Sequence, residues 1–117
     1  MLLYILGPQY RDSDFSDTDY IDVEHAAYKM GWDEVIFSHS IYTSLPIHKA
    51  LAIDIAIITQ ADAAYVLSPL TSEKSLAELE YASTARIPLA FSLEKLEQIY
   101  NEASKGEWHQ IYTTCEN

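Results

Sequence analysis

The stretch Leu2-Leu3-Tyr4-Ile5-Leu6-Gly7-Pro8 (LLYILGP) sets five apolar or aromatic residues directly before Gly-Pro. A run this short, closed by the two residues that most strongly punctuate regular backbone, predicts a buried strand followed by a turn. The rest of the chain repeats the theme with helices in between. Tyr20, Val23, Ala27 and Met30 recur at helical spacing, with Ser16 or Asp17 as cap and Gly31 as terminator. A second strand is expected over Glu34–Ser38, a helix over residues 47–60, and a third strand over Ala63–Leu67, closed by Ser68-Pro69. A helix over Ser75–Ala85, a strand over Pro88–Phe91, a helix over residues 93–104 and a last strand over Trp108–Tyr112 complete the order β-α-β-α-β-α-β-α-β.

Short apolar strands alternating with helices define an α/β class: a flavodoxin/Rossmann-like three-layer sandwich with a parallel sheet of about five strands, built as one domain over residues 1–117. Ligands of such sheets bind beyond the carboxyl ends of the strands. The site is therefore expected in the loops that follow Gly7, Ser38 and Ser68.

The totals narrow the chemistry. Eighteen acidic residues against seven basic ones give a formal net charge of -11, which repels nucleic-acid backbones and anionic membranes. A small anionic ligand stays compatible, because local donors outweigh distant screened charge. The single cysteine, Cys115, excludes an internal disulfide and a thiolate zinc cluster. MLLYILGPQY lacks the basic flank of a signal peptide, and no segment approaches the roughly 20 apolar residues of a membrane span. A soluble cytoplasmic protein is expected. Three glycines permit neither GxGxxG nor a P-loop, so no nucleotide cofactor is expected. The acidic run DSDFSDTD (12–19) lacks the glycine and glutamate of a calcium loop, and the histidines show no metal spacing.

Three residues stand out. Asp54 lies in ALAIDIAIIT, among Leu51, Ile53, Ile55, Ile57 and Ile58. A helix apolar all round is buried, by the core on one side and a second subunit on the other. Burial raises a carboxyl pKa and makes a proton donor; the plainer alternative is a solvent stripe shared with Thr59 or His48. Glu78, in SLAELEYA, fits a capping box with Ser75. It equally fits an acid held ionised by the helix dipole and aimed at the strand ends. Glu80 is about 200° round the helix and is assigned to solvent or a subunit contact. Tyr4 shares a strand face with Leu2 and Leu6, as a core tyrosine or as a hydrogen-bond partner for a carboxylate.

Taken together, these residues resemble the nucleoside 2-deoxyribosyltransferase superfamily, including the deoxynucleoside-monophosphate N-glycosidases. Tyr4-x-x-Gly7-Pro8 resembles its opening motif, Asp54-x3-Ile58-x3-Asp62 its D-x3-[IL]-x3-D, and Glu78-x3-Ala82 the start of its catalytic helix. Pro88 stands where the family resumes a strand, so the similarity spans roughly residues 2–92. The resemblance implies Glu78 as nucleophile on the sugar C1′, Asp54 as general acid to the departing base and Tyr4 as the group that orients Glu78. It implies substrate contacts from the Gly7-Pro8-Gln9 turn and from Ser72, Lys74 and Ser75, where hydroxyl and ammonium donors near a helix start suit a 5′-phosphate. The partner is then a small nucleoside or nucleotide, and the apolar helix 47–60 predicts a homodimer or larger homo-oligomer. Residues 72–77 hold none of the glycines that relatives place there. That departure favours an alternative, a non-catalytic nucleotide-binding module on the same scaffold. A third reading is structural, with Glu78 as a cap and Asp54 solvated.

Overall fold

The computed structural model describes residues 1–7, 17–37, 45–67, 70 and 73–104. Eight elements follow in order: β1 (Leu2–Leu6), α1 (Asp17–Met30), β2 (Glu34–Phe37), α2 (Ile47–Gln60), β3 (Ala63–Val66), α3 (Glu73–Thr84), β4 (Leu89–Ala90) and α4 (Leu93–Ser104). The strands form one parallel sheet in the order β2-β1-β3-β4.

β1 holds the centre. Leu3, Tyr4, Ile5 and Leu6 are all fully buried, as a strand covered on both faces requires. Its alternation sorts the core into two halves. Leu3 and Ile5, with Ala63 and Tyr65 of β3, pack against Tyr20, Val23 and Ala27 of α1 and Leu96 and Ile99 of α4. Tyr4 and Leu6, with Ala64, pack on the other face with Ile58 of α2 and Ala82 of α3. The result is three layers, with α1 and α4 on one side of the sheet and α2 and α3 on the other.

Local chemistry fixes several joints. Gly31 ends α1 with φ at 117°, a region that side chains disfavour, and its N–H donates to the carbonyls of Ala27 and Tyr28. Asp62 clamps the start of β1: its carboxylate accepts from the Leu2 N–H at 2.7 Å, and its own N–H donates to the Leu2 carbonyl at 2.9 Å. The second aspartate of the D-x3-[IL]-x3-D pattern thus secures the sheet.

The structure differs from expectation at three places. The sheet has four strands among the described residues, not about five, and the strand expected at 108–112 lies outside them. β4 is only two residues long. Pro88, which has no N–H to give a ladder, precedes it and contributes a carbonyl that accepts from the Ala64 N–H. α3 begins at Glu73, two residues before the expected Ser75, so Ser75 lies inside the helix and not at its N-cap position. Among the described residues no helix is long and apolar enough to cross a membrane.

Candidate active site

The two helices on the Tyr4 face each turn one stripe inward. On α2 the stripe is Ala50, Asp54 and Ile58, spaced four apart and all buried. On α3 it is Lys74, Glu78 and Ala82, at the same spacing and also buried, with Ser75 beside them. Where the stripes meet over β1, four polar side chains converge: Tyr4, Asp54, Lys74 and Glu78.

Their hydrogen bonds form a connected set. The Tyr4 hydroxyl donates to Oε1 of Glu78. The Lys74 ammonium donates to Oδ2 of Asp54, and to Oε2 of Glu78 at 2.9 Å. Asp54 and Glu78 are both fully buried, and Lys74 is 8% exposed. Both oxygens of Glu78 therefore have donors. Oδ1 of Asp54 is buried and has no hydrogen-bond partner among the described residues.

The electrostatics follow from this packing. Burial pushes the Asp54 carboxyl above its usual range, and the Lys74 ammonium, the Tyr4 hydroxyl and Glu78 offset part of that rise. Burial also pushes Glu78 up, against the lowering influence of the Tyr4 hydroxyl and Lys74, while the neighbouring Asp54 adds to the rise. Desolvation opposes the charge on Lys74, but its bonds and attraction to Asp54 and Glu78 prevail and leave it above its usual range. The cluster is thus one ammonium held between two acids in a water-poor interior. Its chemical capacity is to keep one carboxyl charged while the other carries a proton.

Of the residues singled out from sequence, Tyr4, Asp54 and Glu78 meet in this cluster, and Asp54 is buried by its own chain without a second subunit. Asp54 is fully buried while His48 and Thr59 are exposed, so it does not share a solvent stripe with them. Glu78 is neither a cap nor a first-turn residue, since α3 starts five residues earlier; the expected dipole support gives way to Tyr4 and Lys74. Glu80 is exposed, as its angle round the helix requires.

Ser75 donates to the Gly7 carbonyl at 2.7 Å, which ties the first turn of α3 to the carboxyl end of β1. Gly7 is itself buried, and a Cβ there would lie 2.8 Å from Cζ of the buried Tyr20. Lys74 is directed inward to the two acids. Pro8, Gln9 and Ser72 lie outside the described residues. The internal role of Lys74 was missed from sequence, although Lys74 and Glu78 stand at the i,i+4 spacing that pairs side chains on one helix face. Among the described residues no group of three or more His, Cys, Asp or Glu side chains is placed to hold a metal ion.

No family model, curated protein or solved structure matches the chain.

Proposed function

We propose that this protein is an N-glycosidase acting on the bond between base and deoxyribose of a deoxynucleoside or deoxynucleoside 5′-monophosphate. The observation that supports the reading is the meeting of Tyr4, Asp54 and Glu78, from three separate elements, in one buried cluster. Glu78 attacks C1′ and forms a glycosyl ester. The electron pair of the C1′–N bond leaves with the base, which takes the proton from Asp54. Ionised Asp54 then accepts a proton from water, whose oxygen attacks C1′ and releases the sugar and the Glu78 carboxylate. An incoming base in place of water gives transfer. The logic is that of a retaining glycosidase, with one charged and one protonated carboxyl around the breaking bond.

Lys74 and Ser75 both make bonds inside the protein, which weakens their assignment as phosphate donors; nucleosides and monophosphates are equally candidates as substrate. Self-association through α2 belongs to the same proposal. Leu51 and Ile55 on that helix are only partly covered, and Ala52 and Ala56 are exposed. So does a cytoplasmic setting, where such substrates are found.

One observation favours a second reading. Glu78 is fully buried with both oxygens bonded, an arrangement that also suits a non-catalytic nucleotide-binding module. Incubation with a panel of deoxynucleosides and their monophosphates, followed by chromatography for free base, separates the two. The enzyme reading expects free base from at least one member. Thermal stabilisation by a nucleotide with no base released selects the binding module.

A further inference from the structure

The hydrogen-bond inventory of the buried cluster carries an assignment that its residue types alone do not. Two carboxylates and one ammonium leave one negative charge uncompensated in a water-poor interior, and a single proton restores balance. Four carboxyl oxygens are available to it. Oε1 of Glu78 accepts from Tyr4, Oε2 of Glu78 and Oδ2 of Asp54 accept from Lys74, and Oδ1 of Asp54 has no partner among the described residues. Donors favour the ionised form of the oxygens they reach.

We infer that Lys74 is a positioning residue that decides which acid is charged: by bonding both, it holds Glu78 as the carboxylate and leaves Oδ1 of Asp54 as the seat of the cluster's one proton. Among the described residues the ionisable groups bonded to Lys74 are Asp54 from α2 and Glu78 from its own helix, and Tyr4 of β1 joins the cluster through Glu78. Removing the ammonium leaves two neighbouring acids of which, among the described residues, Glu78 keeps the Tyr4 donor. Like-charged carboxyls that adjoin cannot both ionise easily, so they share a proton and the division of labour between them is lost.

The test reads protonation directly. Carbon-13 NMR of the labelled side-chain carboxyls is followed across pH in the wild type, in Lys74→Met and in Lys74→Arg. Near neutral pH the wild type is expected to show Asp54 protonated and Glu78 ionised. Lys74→Met is expected to raise the proton affinity of Glu78 about tenfold or more, and Lys74→Arg to keep the wild-type order. A wild type with its proton on Glu78, or with both carboxyls ionised, overturns the inference. So does a Glu78 titration that Lys74→Met leaves unmoved. Should Lys74→Met fail to fold, the wild-type and Lys74→Arg spectra still decide.

The catalytic consequence, and only that, rests on the N-glycosidase reading: the acidic limb of the base-release profile moves to higher pH in Lys74→Met. Proton order as expected without base release counts against the enzyme reading alone. Base release with the proton order inverted counts against the role of Lys74 alone.

Discussion

Tyr4 and Glu78 stand 74 residues apart in the chain and share a buried hydrogen bond, phenol to carboxylate, between the central strand and the third helix. Neither belongs there for packing alone. A buried carboxylate is costly unless donors satisfy it, and this one has two, from different elements. Removing the phenol donor tests what the bond does. Tyr4→Phe keeps the ring and loses the hydroxyl, and a hydrogen bond to a charged group contributes about 1.5–3 kcal/mol. We expect a stability loss of that order by urea unfolding. We also expect base release to fall by about tenfold or more, since ~1.4 kcal/mol of lost positioning is a factor of ten. Unchanged base release would show that Tyr4 only fills the core.

Lys74→Met leaves Asp54 and Glu78 buried without their counter-ion. Breaking a buried pair from one side costs about 3–5 kcal/mol. The loss should be largest at neutral and mildly alkaline pH and should shrink towards pH 4, where both acids take protons. Urea unfolding at several pH values measures it; a loss independent of pH would point to packing instead of charge.

The pH dependence of the wild type follows from the same acids. The Asp54 and Glu78 pKa values are raised from ordinary values of 3.8 and 4.5. Between those values and the folded ones, the native state binds more protons than the unfolded chain, so unfolding free energy falls as pH rises through this window. Asp54→Asn mimics the protonated acid and removes its share of the slope. Its stability should vary less with pH above about 4, and near pH 8 it should equal or exceed the wild type. A slope identical to the wild type would mean that Asp54 is ionised in the folded protein.

The alternation of β and α, the exact span of α2 and the parallel sheet were legible because apolar period and glycine or proline breaks act locally. Gly31 is the clearest case: a turn with positive φ needs that residue. The start of α3 was not legible. Ser75 has the chemistry of a cap, but its hydroxyl is taken by the Gly7 carbonyl from the other end of the sequence, and the helix runs on to Glu73. For Asp54 the sequence leaves two readings open, burial by the core and a partner subunit or a solvent stripe; the packing of α2 on α3, which brings Lys74 against it from twenty residues on, decides for burial within the chain. The role of Lys74 was missed for the same reason, since a lone lysine near a helix start reads as a surface donor.

Gly7→Ala probes the joint that sets the site over β1. The added Cβ would meet the ring of Tyr20, which is buried beside Phe37 with centroids 5.2 Å apart and has little room to move. Overpacking of this kind costs about 1–3 kcal/mol. A thermal melt is expected to show the loss, and a melt like that of the wild type would mean that Tyr20 repacks freely.

The most direct measurement is the mass of the intact protein, quenched in acid during incubation with a deoxynucleoside or its monophosphate, followed by peptide mapping of any adduct. We expect the added mass of the sugar moiety on Glu78, with both the adduct and base release lost in a folded Glu78→Gln. Base released at the wild-type rate by Glu78→Gln, with no adduct on either protein, would contradict it.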